Sequence, residues 1–350
     1  MSTTAVSAQP PVSAHPKTKK VVDEVSGWLR IFDDGSVDRT WTGPPEALPL
    51  MEPVPPYTVP HDGITLHDLP GSPNLRLYLP ESDASKKLPI FLHLQGGGFC
   101  ISHHSWLMYH QFYARIAREV QAAVVSVELP LAPEQRLPAA IDTGIAALIR
   151  LRSVARSPVD DPASELLSDN VDFSRIFLIG DSSGGNLVHV IAAKALEETD
   201  EFWAPLKLAG GIPLHPGFVR STRSRSELEI KADSVFFTLD MLDKFLALGL
   251  PVGATKDHPY TCPMGEEAPP LEKVRLPPFL VGVAELDLIH DTNLEYCEAM
   301  KKAGKQVEVL INRGVSHSFY LNKFAVDMDP TTGERTRELV AAIKDFVERH

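Results

Sequence analysis

Residues 175–187, RIFLIGDSSGGNL, hold the pattern that decides the fold. A short apolar run ends at Gly180 and a helix-like stretch follows, which predicts a buried strand that turns sharply into a helix. Gly180-Asp181-Ser182-Ser183-Gly184 matches the pattern G-x-S-x-G, whose small outer residues let the chain pack closely around a strained turn. Such a turn exposes the Oγ atom of Ser182, and the N–H groups at the helix start face a developing negative charge. A Gly/Ser-rich loop that only turns would also match, so Ser182 is a candidate nucleophile that needs support from the rest of the chain.

Other apolar runs of strand length lie on both sides of this turn. They span residues 89–95, 122–130, 277–285 and 307–312, and helix-like segments separate them. Buried strands that alternate with amphipathic helices predict an α/β fold with a mostly parallel central sheet covered by helices on both faces. Ligands of such sheets bind beyond the carboxyl ends of the strands. The residues that follow each strand are therefore the candidates for chemistry.

The parts of the chain outside this alternation predict a tail and an insertion. Residues 1–20 are rich in Ser, Ala, Pro and Thr, which is typical of a flexible tail. We interpret residues 21–350 as a single domain. Residues 215–265 break the alternation with a helix-like stretch between two sheet strands, and we interpret them as a cap inserted over the sheet.

The first part of the predicted domain shows two local patterns. Residues 26–39, SGWLRIFDDGSVDR, predict two small strands joined at Asp34-Gly35. Residues 43–57, GPPEALPLMEPVPPY, hold too many prolines for a helix or a central strand, so we expect them to run along the surface.

Composition and charge limit the classes of partner. The net charge is −12, so the chain lacks the basic surface that nucleic acid or an anionic membrane requires. No run of about 18 apolar residues predicts a membrane span, and the polar N-terminus is unlike a secretory signal. Cys100, Cys262 and Cys297 lack the spacing of a zinc site or of a disulfide framework. We expect a cytoplasmic protein, and these patterns give no oligomeric state.

A glycine loop follows the strand predicted at residues 89–95. In Gly96-Gly97-Gly98-Phe99, the missing Cβ atoms let backbone N–H groups approach an oxygen of a substrate. A flexible loop or a phosphate-binding turn is the alternative interpretation. No G-x-x-x-x-G-K-[ST] pattern is present, which excludes a P-loop.

A base and an acid follow the last two predicted strands. His317 lies in the loop after residues 307–312, and Asp287 lies just after residues 277–285. Asp287 precedes His317 by 30 residues (317 − 287), about one helix and one strand. With Ser182, these residues give the chain order Ser…Asp…His, each at the exit of a strand. We expect Asp287 to orient His317, and Asp291 to be the N-cap of the next helix.

Four segments together resemble a known family. They are GGGFCIS (96–102), LAPEQRLPAAIDTG (131–144), GDSSGGNLVH (180–189) and GVSHSFY (314–320). They resemble the plant carboxylesterases of the hormone-sensitive-lipase group, whose fold is the α/β-hydrolase fold with an HGGG motif. The resemblance runs from about residue 25 to the C-terminus.

The resemblance implies a function and a set of site residues. It implies an α/β-hydrolase core with a helical cap, partly formed by about residues 21–60, above a pocket for small acyl or aromatic esters. It implies a catalytic triad and an oxyanion hole, which would need neither a metal nor an organic cofactor. The triad residues would be Ser182, Asp287 and His317, and the oxyanion donors would be Gly97, Gly98 and Ser183. We also expect a substrate pocket formed by Gln95, Phe99, Trp106, His215, Phe218 and Met241.

The sequence departs from the family pattern at two positions. Gln95 stands where the family carries the histidine of HGGG, and the nearest histidine, His93, lies two residues earlier. The oxyanion donors are backbone groups, and a glutamine side chain both donates and accepts hydrogen bonds, so we expect activity to persist in weaker form. Glu128 stands where relatives often carry an aromatic residue, and we expect it to be solvated or salt-bridged.

Related functions compete with ester hydrolysis. The gibberellin receptor resembles the same family but has lost the catalytic histidine, and the presence of His317 argues against a pure receptor. Dehydratases and cyclases of the family share its motifs, so a lyase stays open. A transferase that passes the acyl group to an alcohol also stays open, because only the dryness of the pocket would distinguish it.

Overall fold

The computed structural model describes residues 19–82, 86–157, 161–230 and 234–350. Except for its last two residues, the predicted tail at 1–20 lies outside the described residues. Within the described residues, no helix is both long and apolar enough to cross a membrane.

Strands and helices alternate through most of the chain. The strands are β1 (Val21–Val25), β2 (Leu29–Phe32), β3 (Val37–Asp38), β4 (Tyr57–His61), β5 (Ile64–Leu69), β6 (Leu75–Pro80), β7 (Leu88–Leu94), β8 (Ala123–Val127), β9 (Val171–Asp181), β10 (Leu208–Leu214), β11 (Phe279–Ala284) and β12 (Val307–Asn312). The helices are α1 (Leu107–Val120), α2 (Ala139–Arg156), α3 (Pro162–Leu167), α4 (Ser183–Ala195), α5 (Asp200–Trp203), α6 (Arg225–Glu229), α7 (Leu239–Gly249), α8 (His290–Lys302), α9 (Lys323–Met328) and α10 (Pro330–Arg349).

A nine-stranded sheet lies at the centre of the fold, in the order β12-β11-β10-β9-β7-β8-β6-β5-β4. The six strands from β12 to β8 are parallel to one another. Strands β6, β5 and β4 extend the sheet in antiparallel pairs. The prediction of a mostly parallel sheet is therefore confirmed.

Helices cover both faces of this sheet. Successive side chains of a strand point to opposite faces. Along β7, Ile90 and Leu92 belong to the apolar cluster that includes residues of α2, α4 and α8, whereas Phe91 belongs to the cluster that includes residues of α1 and α10. A strand buried on both faces needs apolar residues at every position, which explains the unbroken apolar runs in the sequence. Because β7, β9, β11 and β12 are parallel, the residues that follow them meet at one edge of the sheet.

The N-terminal part of the domain differs in one respect from the prediction. The hairpin at Asp34-Gly35 is confirmed, since β2 and β3 pair there and β1 adds a third strand. Residues 43–57, in contrast, contain a 3₁₀-helix at Pro45–Met51. The expectation that prolines exclude a helix is wrong here: Pro45 opens the first turn, where no N–H donor is needed, and the short 3₁₀-helix also accommodates Pro49 in its interior.

A third apolar cluster joins distant segments above the carboxyl edge of the sheet. It contains Val25 and Leu29 of the small sheet, Met241 and Phe245 of α7, and Ile101 of the glycine loop. The two segments predicted to form the cap, 21–60 and 215–265, thus pack against each other and against the loop that follows β7.

Buried histidines predict an acid-sensitive fold. His93, His104, His189 and His215 are buried, and burial lowers the pKa of each, to about 4 for His189. Below the ordinary histidine pKa of 6.5, the unfolded chain binds protons that the folded chain does not. The free energy of unfolding therefore falls as the pH drops, by about 1.4 kcal/mol per pH unit for each such histidine.

We expect His189→Asn to reduce the slope of the free energy of unfolding against pH between about pH 6.5 and pH 4.5. The reduction should correspond to up to one fewer proton taken up on unfolding. The measurement is urea unfolding across that range, with His61→Asn, an exposed histidine, as the matched control. An equal slope in wild type and His189→Asn would contradict the prediction.

Candidate active site

Ser182 lies in a strained turn between β9 and α4. Its φ is 51° and its ψ is −123°, a region that non-glycine residues rarely adopt. The turn packs against the end of β7: a Cβ atom would lie 2.6 Å from the Leu94 carbonyl oxygen at Gly180 and 2.0 Å from it at Gly184. Both outer residues of the motif must therefore be glycine.

The glycine loop is fastened to this turn by hydrogen bonds. The Gly96 N–H donates to Oδ1 of Asp181 at 3.2 Å, and the Phe99 N–H donates to Oγ of Ser183 at 3.2 Å. The Ser102 hydroxyl donates to the Gly96 carbonyl at 2.6 Å. The sequence analysis did not predict Asp181 and Ser102 as positioning residues. Asp181 occupies a variable position of the motif, so the motif gives no signal for it.

Three backbone donors at this junction are free. Among the residues that the structure describes, the N–H groups of Gly97, Gly98 and Ser183 have no hydrogen-bond acceptor. All three residues line the same cavity as Ser182. Free N–H groups beside a nucleophile can stabilise a negative oxygen.

Gln95 supports the glycine loop from below. Its side chain is buried, and its Nε2 donates to the Ser102 carbonyl at 3.2 Å. His93 lies deeper, with its Nε2 4.0 Å from Oδ1 of Asp181. The glutamine therefore contacts the backbone of the loop and does not line the cavity.

His317 is oriented by a buried carboxylate. Its Nδ1 lies 2.7 Å from Oδ2 of Asp287, which is 1% exposed. The other oxygen of Asp287 accepts the Ile289 N–H at 3.2 Å. This pairing leaves Nε2 of His317 available. Within the described part of the chain, Nε2 has no hydrogen-bond partner, so it is not bonded to Ser182 Oγ. Catalytic contacts are often loose without substrate.

Two aromatic rings hold the His317 loop. The Ser318 N–H donates to Nδ1 of His215 at 2.9 Å, and burial lowers the pKa of His215 to about 3, so this ring is neutral and accepts. The Phe237 ring stacks on the His317 ring at 4.2 Å between centroids. Neither contact was expected from the sequence, because the three residues are far apart along the chain.

The expected N-cap role of Asp291 is wrong. Helix α8 begins at His290, and Ile289 occupies the N-cap position. Oδ2 of Asp291 instead accepts the Ser226 N–H at 2.9 Å and ties α8 to α6. The carboxylate of Asp287 instead accepts the N–H of Ile289, the N-cap residue, and so closes the turn before the helix.

The candidate site opens into a cavity of about 480 Å³. Ser182 and His317 both line it, and most of the remaining wall is apolar. Large apolar residues of the wall include Trp28, Leu50, Phe99, Trp106, Phe236, Phe237, Leu242, Phe245, Leu246 and Phe319. Trp28 and Leu50 come from the N-terminal segment. No pattern in the sequence predicted that these two residues would line the cavity.

Only two of the six residues expected in the pocket line this cavity. They are Phe99 and Trp106. His215 lies behind His317, and Phe218 packs on Tyr296 at 4.4 Å between ring centroids. Met241 faces the small sheet. These residues, like Gln95, are buried by neighbours that come from other parts of the chain.

The strain at Ser182 predicts a stability difference between two variants. Glycine adopts a positive φ without the steric cost that a Cβ atom brings. We expect the free energy of unfolding of Ser182→Gly to be higher than that of Ser182→Ala by about 1 kcal/mol. Urea unfolding of both variants measures this difference. A glycine variant that is no more stable than the alanine variant would argue against strain at the turn.

Known proteins resemble this chain in sequence. A family model described as the alpha/beta hydrolase fold matches residues 91–321. The protein named probable carboxylesterase 6 of Arabidopsis thaliana is 34% identical over 338 residues, which cover 94% of this chain and 92% of the relative. Carboxylesterase 20 of the same plant is 32% identical and covers 90% and 93%. A gibberellin receptor of that plant is 36% identical over 246 residues, covering 69% of this chain and 67% of the receptor.

Solved structures share the architecture. An esterase of Pyrobaculum calidifontis aligns with a TM-score of 0.64 and 26% identity, covering 83% of this chain and 86% of that one. Carboxyl esterase 2 of Tuber melanosporum aligns with a TM-score of 0.66 at 20% identity, covering 83% and 88%, which shows the fold alone. The resemblance inferred from the sequence is confirmed: the chain belongs to the α/β-hydrolase fold family, and within it to the carboxylesterases.

Proposed function

We propose that this carboxylesterase hydrolyses small acyl or aromatic esters with a triad of Ser182, His317 and Asp287. One observation carries the proposal. The 2.7 Å contact between His317 Nδ1 and the buried Asp287 leaves the unpartnered Nε2 in the cavity where Ser182 sits in its strained turn. A nucleophile, a base and an acid that orients the base are the parts that acyl transfer requires.

In the first half of the reaction, His317 Nε2 takes the proton of Ser182 Oγ as this oxygen attacks the ester carbonyl. The contact with Asp287 fixes the Nδ1–H tautomer and stabilises the imidazolium. The tetrahedral intermediate collapses, its alcohol leaves with the proton from His317, and an acyl-serine remains. In the second half, water repeats the same steps and releases the acid.

The oxyanion of both intermediates is held by the N–H groups of Gly97, Gly98 and Ser183. Two observations support this role of the three N–H groups. They have no other acceptor among the described residues, and Asp181 and Ser102 fix the loop that carries two of them. Donors fixed in advance need no reorganisation when charge develops. Every proton in this scheme passes between residues, substrate and water, so the scheme needs no metal and no organic cofactor.

The cavity supports an apolar substrate of modest size. Its volume of about 480 Å³ lies within the range of small-molecule pockets. Its aromatic side chains present flat faces on which an aromatic acyl or alcohol group can stack. Substrate size and type are thus proposed from the wall of the cavity, not from the reacting groups.

We propose that residues 21–60 and 215–265 act as the cap of a single domain over this cavity. Trp28 and Phe236 from these segments line it, and the Trp28 Nε1 donates to the Phe236 carbonyl at 3.2 Å. We also propose a cytoplasmic location, which is supported by buried free thiols at Cys100, Cys262 and Cys297.

The triad predicts a loss of turnover on removal of the nucleophile. We expect Ser182→Ala to lower kcat for p-nitrophenyl acetate by roughly four powers of ten or more, because no other group supplies the attacking oxygen. Ser174→Ala, at an exposed serine, is the matched control and should retain full activity. Full activity of Ser182→Ala would refute the proposed mechanism.

The aromatic wall predicts a change in substrate preference. We expect Trp106→Leu to raise KM for p-nitrophenyl and phenyl esters by about threefold to tenfold through lost ring contacts. KM for ethyl butyrate should change less, and steady-state kinetics on both ester types measures the difference. An equal change for both types would contradict an aromatic subsite at Trp106.

The relative named as a gibberellin receptor supports a second candidate, ligand binding without turnover. The orientation of His317 favours hydrolysis over it, because a receptor has no use for a base paired with a buried acid. Failure of the folded wild type to hydrolyse p-nitrophenyl acetate and butyrate would favour the receptor or a lyase.

A further inference from the structure

Glu128 belongs to a cluster that lies outside the proposed triad. It follows β8, and its Oε1 lies 3.7 Å from Nε2 of His103. His104 completes the cluster: one ring nitrogen of each histidine and one oxygen of Glu128 lie within 4.8 Å of one another. These three residues, His103, His104 and Glu128, form the histidine–glutamate cluster.

Two members of the cluster are oriented by neighbours. Nδ1 of His103 contacts the Ser105 hydroxyl at 2.7 Å and accepts the Ser105 N–H at 3.2 Å, and Nε2 faces Glu128. Oε2 of Glu128 accepts a hydrogen bond from Asn74 Nδ2 at 2.9 Å, which leaves Oε1 facing His103. Metal ligands typically have outer partners that hold the ring and the carboxylate in place. Binding of an ion at Nε2 would place the ring proton on Nδ1, where it can be donated to the Ser105 hydroxyl.

The third member is buried and lacks a partner. His104 is 5% exposed, and its Nδ1 has no hydrogen-bond partner among the described residues. One ring nitrogen of His104 lies within 4.8 Å of the ligand atoms of His103 and Glu128. A buried ring nitrogen without a partner is costly, and a bound ion would satisfy a free nitrogen of this ring.

The local charge favours a cation. Arg76 is the nearest buried positive group, but it forms a two-point ion pair with Asp68, at 2.7 and 2.9 Å. Its remaining Nη1 donates to the Val54 carbonyl at 2.8 Å. With Arg76 neutralised, Glu128 gives the cluster a net negative charge.

We propose that His103, His104 and Glu128 bind a divalent transition-metal ion, with Zn²⁺ as the best match. Two imidazoles and one carboxylate suit Zn²⁺, and water would fill the fourth position. Tetrahedral ligands about 2.0–2.1 Å from zinc are ~3.4 Å apart, so the 3.7 Å spacing of His103 and Glu128 needs little adjustment. The ring of His104 lies against that of His103, with 4.3 Å between centroids, and would have to move to bring its nitrogen to the ion.

The proposed ion would link the glycine loop to the sheet. His103 and His104 directly follow Ser102, which fastens the loop, and Glu128 directly follows β8. The three residues line a pocket separate from the cavity of Ser182 and His317, so the proposal does not depend on the proposed function.

Equilibrium dialysis of the full chain with Zn²⁺, with bound metal measured by atomic emission, tests the site. The variants are His103→Ala and Glu128→Gln, whose side chains are about 40% exposed, so that folding should survive. His317→Ala is needed as a control because His215, Asp287 and His317 also bring potential ligand atoms within 4.8 Å of one another. His61→Ala is a control for binding to an exposed histidine.

We expect one Zn²⁺ per chain in the wild type and in both controls, and binding weaker by roughly tenfold to a hundredfold in each cluster variant. Thermal unfolding in Zn²⁺ should show the same division, with a Tm increase that each cluster variant reduces. The absence of Zn²⁺ binding by the folded wild type would overturn the proposal. Unchanged affinity in either cluster variant, or loss of binding in His317→Ala, would overturn it as well.

Discussion

The contact between the Ser182 turn and the end of β7 is the constraint on which the rest of the site depends. The Leu94 carbonyl oxygen fills the space that a Cβ atom would need at Gly180 or Gly184. The turn is therefore pressed against the strand that carries the glycine loop, and Ser182 shares one junction with the N–H groups of Gly97 and Gly98. This closeness comes with backbone strain, since Ser182 holds a positive φ.

Strain is concentrated in the segments around this junction. Among the described residues, seven non-glycine residues have a positive φ, and five of them belong to the site segments: Phe99, Ser102, Ser182, His215 and Ser318. Such conformations persist only where surrounding contacts hold them. Here the contacts are hydrogen bonds between loops, such as that of the Ser318 N–H with His215, and the packing of Phe237 on His317.

The cavity wall depends on contacts between the most distant parts of the chain. Trp28 stacks on Trp106 at 6.4 Å between ring centroids, and Phe236 contacts Trp28 at 6.1 Å. Arg39 binds the Cys100 and Ala132 carbonyls at 2.6 and 2.9 Å, which fastens the N-terminal segment above the glycine loop. The N-terminal segment and the stretch that carries Phe236 thus shape the cavity, whereas Ser182, Asp287 and His317 follow strands of the sheet.

The sequence by itself determined the alternation of strands and helices, the turn at Ser182, and the strand exits that carry Asp287 and His317. These features depend on local patterns and on the rule that parallel strands end at one edge. Only the tertiary structure decided which side chains face the cavity: Gln95, His215, Phe218 and Met241 turn away from it, and Trp28 turns into it. The reason is physical, because the direction of a side chain is fixed by neighbours that lie far away in the sequence and meet only when the chain packs.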